Sequence, residues 1–138
     1  MRALLALLAL FAASLPAVLQ AGDAHRAVFE LTSDNPKQWT ALLNNVENLR
    51  KALPGTTVEV VAHGPGLQLL MREHNAEAAA RMESLAKQGV VFAACQNTMK
   101  RMNVSPDQLS PFAQTVDSGV AEVVRKQQAG WAYLRSGG

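Results

Sequence analysis

The sequence predicts a single α/β domain, a three-layer sandwich in which a mainly parallel five-stranded sheet lies between helices. Two observations support this fold class. Short runs rich in β-branched and apolar residues alternate with segments whose apolar residues recur at helical spacing. The run "VVFAA" at 90–94 is continuously apolar, which is typical of a central strand buried on both faces. Strands separated by helices are joined by crossovers, which set parallel strands side by side.

Residues 1–24 are predicted to be a secretory signal peptide, and residues 25–138 the folded domain. The stretch "MRALLALLALFAASLPAVLQA" has a basic Arg2, an apolar core and small residues before a cleavage site after Ala21 or Ala24. The alternative is an uncleaved anchor, but the apolar stretch is short for a membrane-spanning helix. We therefore expect a periplasmic or secreted protein that has no membrane contact after cleavage.

The first half of the domain is predicted to contain two strands, "HRAVFELT" (25–32) and "TTVEVVAH" (56–63). Between them, Asp34 or Asn35 caps a helix whose first turn holds Pro36, a residue that suits this position. The apolar residues of that helix recur at helical spacing and form its buried face: Trp39, Leu42, Leu43, Val46, Leu49 and Leu53.

The second half is predicted to contain three strands, at 90–94, 113–117 and 131–135. The clearest helix is "NAEAAARMESLAKQ" (75–88), whose apolar face holds Ala78, Met82 and Leu85. A short helix, "NTMKRMN", follows the central strand. Ser118 caps the last helix, "GVAEVVRKQQA", which is expected to bury Val120, Val123 and Val124.

Charge and motifs exclude several classes of function. The formal net charge is +2, and removal of the leader takes away Arg2, so the domain itself is nearly neutral. Because no block of Lys and Arg interleaved with aromatic residues is present, nucleic acid is not expected as a partner. HExxH, GxGxxG and paired-carboxylate patterns are also missing, so zinc proteases, dinucleotide enzymes and hydrolases have no support.

The stretch "VVFAACQNTMKRMNV" (90–104) holds Cys95, the single cysteine of the chain. One cysteine makes neither an intrachain disulfide nor a multi-cysteine zinc site. Cys95 lies where a strand passes into a helix, and backbone N–H groups at a helix start favour a thiolate, the reactive form of the thiol. The alternative is a buried structural cysteine, which is a common role for this residue type.

Ligands and reactive groups of open parallel sheets gather beyond the carboxyl ends of the strands. Six candidate site residues follow the first three strands: Asp34, His63, Gly64, Cys95, Asn97 and Thr98. His63 either orients or deprotonates the thiol, or caps a loop. Asn97 and Thr98 are donors for a bound anion or plain helix caps. Asp34 and Gly64 belong to the turns after the first and second strands.

No metal or other cofactor is predicted. A minor alternative is a Cu(I) site, because Met99 lies four residues after Cys95, on the same face of a helix, and soft sulfur ligands suit Cu(I). His63 would complete that ligand set. Methionines at helical spacing are much more often core residues.

The segments "NLRKALPGTTVEVVAHGPGLQLL" (48–70) and "GVVFAACQNTMKRMNVSPDQLSPFAQTVDSGVAEVVRKQQAGWAYLR" (89–135) resemble the DsrE/DsrF-like family. The resemblance rests on HGPG, a strand-terminal C-x-N-T, and SGVAEVVRKQQ with the following GW and Y. It implies a DsrE-like domain with flavodoxin-like layering that assembles into homotrimers or homohexamers. It also implies a sulfur carrier that holds a persulfide on Cys95 and exchanges sulfur with a donor or acceptor protein.

The leading interpretation is an exported sulfur- or thiol-handling protein, with Cys95 as the nucleophile and His63 as an orienting base. Such a protein is a sulfur carrier or transferase rather than a turnover enzyme. The alternative is a non-catalytic scaffold of the same fold that binds a small molecule or a protein, in which Cys95 has no chemical role.

Overall fold

A computed structural model describes residues 24–73 and 76–136. The predicted leader lies outside these residues, except for its last residue, Ala24. Five strands are present: β1 (Arg26–Leu31), β2 (Thr57–Ala62), β3 (Val91–Cys95), β4 (Gln114–Val116) and β5 (Ala132–Arg135). Four α-helices connect them, namely α1 (Pro36–Ala52), α2 (Ala76–Lys87), α3 (Gln96–Met102) and α4 (Gly119–Gln128), together with 3-10 helices at Gly64–Leu70 and Pro106–Gln108.

The strands form one sheet in the order β4-β3-β2-β1-β5. Every neighbouring pair in that order is parallel. The fold prediction is therefore confirmed, and the sheet is entirely rather than mainly parallel. β2 and β3 are neighbours, and their register pairs Ala62 with Ala94. The turn that follows β2 and the cysteine that ends β3 thus come to the same edge of the sheet.

The two faces of the sheet are covered unequally. Alternate residues of β1, β2 and β3 face a large core formed with α1, α2 and the first 3-10 helix, and this core includes Phe29, Val60 and Phe92. The residues between them face α4 across a small cluster of Val28, Val61, Ala93 and Val123. The three layers are therefore a thick helical layer, the sheet, and the single helix α4.

The prediction that α4 buries three valines is wrong for two of them. Val123 is 7% exposed, whereas Val120 is 60% and Val124 46% exposed. A helix turns by about 100° per residue, so one narrow stripe of α4 meets the sheet, and Gly119 and Val123 occupy it. Val120 and Val124 lie off this stripe, on the outer surface.

The remaining helix predictions hold. Asn35, not Asp34, caps α1, since its side-chain Oδ1 accepts a hydrogen bond from the N–H of Lys37 at 2.9 Å. The predicted inner faces of α1 and α2 are buried as expected, except that Leu49 is half-buried and Leu53 is exposed at the end of α1.

Candidate thiolate site

Cys95 ends β3 and occupies the position just before the first turn of α3. Val61 and Ala93 face α4, and since strand side chains alternate, His63 and Cys95, each two residues further on, project to the same face. Cys95 is buried, with 4% of its surface exposed, but Gln96 and Asn97 beside it are exposed. The sulfur therefore lies just below the protein surface.

The surroundings of Cys95 favour its anionic form. Burial alone raises the pKa of the thiol, but the side-chain hydroxyl of Thr98 and the backbone N–H groups of Gly119, Thr98 and Asn97 outweigh burial and lower this pKa. Among the described residues, none of these donors meets ordinary hydrogen-bond distance and angle at the neutral Cys95 sulfur. Contacts of this kind strengthen when the acceptor becomes charged. The donors come from α3 and from the start of α4, elements distant in sequence.

Thr98 connects the cysteine to the turn after β2. The N–H of Gly64 donates a hydrogen bond to Thr98 Oγ1 at 2.9 Å. Since this oxygen accepts from Gly64, its own proton is free to point towards the Cys95 sulfur. Thr98 is 3% exposed. The predicted site residues Gly64, Cys95 and Thr98 thus form one continuous arrangement, and Thr98 contributes through its side chain.

Replacement of Thr98 by valine should weaken the nucleophile while conserving volume. Thr98→Val removes the hydroxyl donor to Cys95 and leaves the N–H of Gly64 without its acceptor. A hydrogen bond to a charged group contributes about 1.5 kcal/mol or more. We therefore expect alkylation of Cys95 at neutral pH to slow roughly tenfold, as followed by iodoacetamide labelling against pH. Thr115→Val, at an exposed threonine that accepts from Gln96, is the matched control, and equal rates in the two variants would contradict the role of Thr98.

Gly119 lies against His63 as well as near the Cys95 sulfur. A Cβ added at Gly119 would be 2.9 Å from the Cβ of His63 and 3.1 Å from its ring carbons Cγ and Cδ2. Such distances are too short for ordinary van der Waals contact. Glycine is therefore needed here for α4 to approach the sheet closely enough for its first N–H to face the thiol.

Gly119→Ala should push the start of α4 away from the sheet. We expect a loss of about 1–3 kcal/mol in the free energy of unfolding, as for other overpacked sites. The thiol pKa should also rise, because the Gly119 N–H moves away from the sulfur. Urea unfolding and the pH profile of alkylation measure the two effects. Gln128→Ala, at an exposed position near the end of α4, should change neither, and an unchanged pH profile in Gly119→Ala would disprove the contribution of this N–H.

His63 is paired with Glu30 instead of the cysteine. Its Nε2 lies 2.7 Å from Glu30 Oε1, and the hydroxyl of Tyr133 on β5 donates a hydrogen bond to Glu30 Oε2. Burial alone raises the pKa of Glu30, but the bonds from Tyr133 and His63 outweigh it and hold this pKa below its ordinary value. His63 is linked to Cys95 indirectly, through Gly119 and through the adjacent Gly64, which donates to Thr98. Its role as an orienting base stays a prediction.

Other predicted site residues are less involved. Asp34 is exposed in the turn before α1, and no hydrogen bond of the described residues joins it to Cys95. The backbone N–H of Asn97 donates to the carbonyl oxygen of Asp117 at 3.3 Å and also lies near the thiol, while its side chain is exposed. Met99 packs in the large core at 5% exposure, as methionines at helical spacing usually do, so the copper alternative gains no support. Within 24–73 and 76–136, no group of three or more His, Cys, Asp or Glu side chains is arranged to hold a metal ion.

Sequence reasoning missed Glu30, Tyr133 and Glu59, a buried carboxylate of β2. It also gave Gly119 no chemical role. A signal for the two glutamates was present, because each is a single acidic residue inside an apolar strand, in "RAVFEL" and "TVEVVA". Lone charges in such strands require partners. Nothing local to "SGVAEVV" indicates that its glycine approaches Cys95.

Comparisons with known proteins agree with this fold. Residues 24–135 match the model of the DsrE/DsrF-like family. The protein of unknown function MTH1491 from Methanobacterium thermoautotrophicum is 37% identical, with a TM-score of 0.77 over 80% of this chain and 98% of that one.

Two more distant structures share the fold. The ychN protein from E. coli is 11% identical, with a TM-score of 0.67 over 81% of this chain and 98% of that one. The conserved protein of unknown function BT1422 from Bacteroides thetaiotaomicron is 15% identical, with a TM-score of 0.61 over 80% of this chain and 93% of that one. No curated protein matches the chain.

Proposed function

The chain belongs to the DsrE/DsrF-like family, and from that premise we propose that it is a sulfur carrier whose Cys95 accepts a sulfur atom as a persulfide and passes it on. Membership suggests a role of the sulfur-relay type. The observation that carries the assignment to Cys95 is the group of donors from Thr98, Asn97 and Gly119, which lowers the pKa of the single thiol of the chain.

The chemistry is a sulfur exchange without net oxidation. The Cys95 thiolate attacks the outer sulfur of a donor persulfide, R–S–SH, so that a new S–S bond forms on Cys95 while the S–S bond of the donor breaks. The donor leaves as a thiolate, R–S⁻, and Cys95 carries –S–SH. The reverse exchange with an acceptor thiolate delivers the sulfur. The donors that stabilise the thiolate also stabilise Cys95 as the leaving group in that second step.

The position of Cys95 suits exchange with a protein partner. The sulfur lies just below the surface beside the exposed residues Gln96 and Asn97, so a donor or acceptor protein reaches it after a small displacement of these side chains. In this proposal His63 helps to hold the start of α4 beside Cys95, because it packs against Gly119 and is itself paired with Glu30.

We propose that the protein acts after export, in the periplasm or outside the cell, because its first residues have the pattern of a signal peptide. No helix in 24–73 or 76–136 is both long and apolar enough to cross a bilayer. N-terminal sequencing of the exported protein tests the leader. Cleavage after Ala21 or Ala24 supports it, and an intact Met1 contradicts it.

We also propose a homo-oligomer, a trimer or hexamer. Large apolar side chains are exposed on α4 and β5, namely Val120, Val124, Tyr133 and Leu134. Exposed apolar side chains that lie on adjoining elements are typical of protein contacts. Light scattering of the purified domain should give the mass of a trimer or hexamer, and a monomeric mass at micromolar concentration would rule this out.

Intact mass spectrometry before and after incubation with inorganic polysulfide tests the carrier function. The proposal predicts a gain of whole sulfur atoms that dithiothreitol removes, and transfer of the outer sulfur to added cyanide, which leaves as thiocyanate and returns Cys95 to its thiol form. An unchanged mass, together with a thiol that reacts with labels only after unfolding, would favour the non-catalytic scaffold instead.

A further inference from the structure

Glu59 places a carboxylate on the α4 side of the sheet, in the middle of β2. Its side chain is only 5% exposed, and its Oε2 accepts a hydrogen bond from Lys126 Nζ of α4 at 2.7 Å. Burial raises the pKa of Glu59, while the bond from Lys126 opposes that rise. A buried carboxylate is costly unless it is paired, and the proposed sulfur chemistry does not use this one.

Lys126 is held by more than one contact. Its Nζ lies 3.6 Å from Oε1 of Glu122, one turn earlier in α4. It also lies 4.3 Å from the ring centroid of Trp131, within the range of a cation–π interaction. The ammonium group therefore has one partner on the sheet and two on α4 and the segment that follows it.

The stripe of α4 that faces the sheet contains little apolar surface. It consists of Gly119, Val123 and Lys126, spaced four and three residues apart and thus on one helix face. Val123 is the only large apolar residue of α4 that is buried. One valine fixes neither the rotation nor the axial position of a helix, so the ion pair is the directional contact between α4 and the middle of the sheet.

We propose that Glu59 and Lys126 are positioning residues that fix α4 along the sheet so that the Gly119 N–H stays against the Cys95 sulfur. The inference rests on the proposed function, in which Cys95 is the reactive group. Gly119 and Lys126 lie seven residues, or two helical turns, apart in one rigid helix. A shift at Lys126 therefore moves Gly119, which packs directly against the side chain of His63. Buried ion pairs contribute little net stability, and fixing geometry is a role attested for some of them.

The pH profile of Cys95 alkylation in Glu59→Met distinguishes a positioning role from a purely electrostatic one, because only the positioning role predicts a raised thiol pKa. Removal of the negative charge of Glu59, with no movement, makes a thiolate if anything easier to form, so it does not raise the thiol pKa. Loss of positioning moves the Gly119 N–H away and raises the pKa. We expect alkylation by iodoacetamide at neutral pH to slow roughly three- to tenfold.

Two further variants keep this test decisive. Glu59→Met/Lys126→Met removes both charges without leaving one unpaired, and it should fold yet show the same slowed alkylation. Glu83→Gln removes a carboxylate from an exposed ion pair with Lys87 on α2, away from α4 and from the sheet face that α4 covers. This control should keep the wild-type profile.

A wild-type or faster profile in the folded double variant would overturn the positioning role, and so would a Glu83→Gln profile that is slowed as much as that of the double variant. Alkylation does not require persulfide formation. A wild-type protein that fails to load sulfur, while its variants still slow alkylation, would therefore refute the proposed function and leave the positioning role standing.

Discussion

Cys95→Ser is expected to abolish sulfur loading from polysulfide while the domain folds as the wild type does. Serine differs from cysteine by one atom and can accept the same hydrogen bonds, so the junction of β3 and α3 should keep its geometry. A serine hydroxyl ionises far above neutral pH, and it cannot form an S–S bond. Intact mass spectrometry after polysulfide treatment should show no added sulfur, and the far-ultraviolet circular dichroism should be unchanged.

Asn97→Ala is the matched control for this loss. The side chain of Asn97 is exposed and only its backbone N–H faces the thiol, so the variant should load sulfur at close to the wild-type level. Retention of reductant-sensitive sulfur by Cys95→Ser would eliminate Cys95 as the carrier. A comparable loss in Asn97→Ala would show that the side chain, which the structure leaves unused, participates.

Gly66→Ala is expected to have the largest effect on stability. A Cβ on Gly66 would lie 2.2 Å from the backbone oxygen of Leu31 and 2.7 Å from its carbonyl carbon. These atoms belong to the interior strand β1, which pairs with β2 and β5 on its two sides and cannot move without disturbing both. We expect the free energy of unfolding to fall by about 3 kcal/mol or more, at the upper end of the range for overpacked sites. That is a large share of the roughly 5–15 kcal/mol that stabilises a typical domain.

Chemical denaturation of Gly66→Ala and of Gln68→Ala, in the same 3-10 helix, provides the comparison. Gln68 is only half-buried, so its truncation should cost less than about 1 kcal/mol. Equal midpoints for the two variants would mean that the 3-10 helix moves away from β1 easily. The alkylation profile of any folded Gly66→Ala should also change, because this helix carries the N–H of Gly64 that anchors Thr98.

Much of the fold was readable from the sequence because its signals are local. The apolar run that became β3, the inner faces of α1 and α2, and the caps at Asn35 and Ser118 all depend on residues a few positions apart. The identity of Cys95 as a strand-end residue came from the same local pattern. Membership of the family placed all of these elements in one known architecture.

The features that favour a reactive Cys95 thiolate depend on contacts between segments that are distant in sequence. Gly119 reaches Cys95 only because α4 crosses the sheet, and Glu30 meets Tyr133 only because β5 pairs with β1. Val120 and Val124 looked like core residues because three valines at near-helical spacing suggest a wide apolar face. In the structure α4 instead packs on a sheet face that contains two glutamates. Gly119, Val123 and Lys126 make the contact.

Titration of the single thiol by the ultraviolet absorbance of its thiolate, in the native protein and in urea, tests whether the fold stabilises the Cys95 thiolate. We expect a native midpoint clearly below that of the unfolded chain, because the donors from Thr98, Asn97 and Gly119 outweigh the effect of burial. By linkage, the thiolate then stabilises the fold above the unfolded pKa, and this contribution is lost as the pH falls through the native pKa. A native midpoint equal to or above the unfolded one would contradict a stabilised thiolate, since Cys95 would then be an ordinary buried thiol.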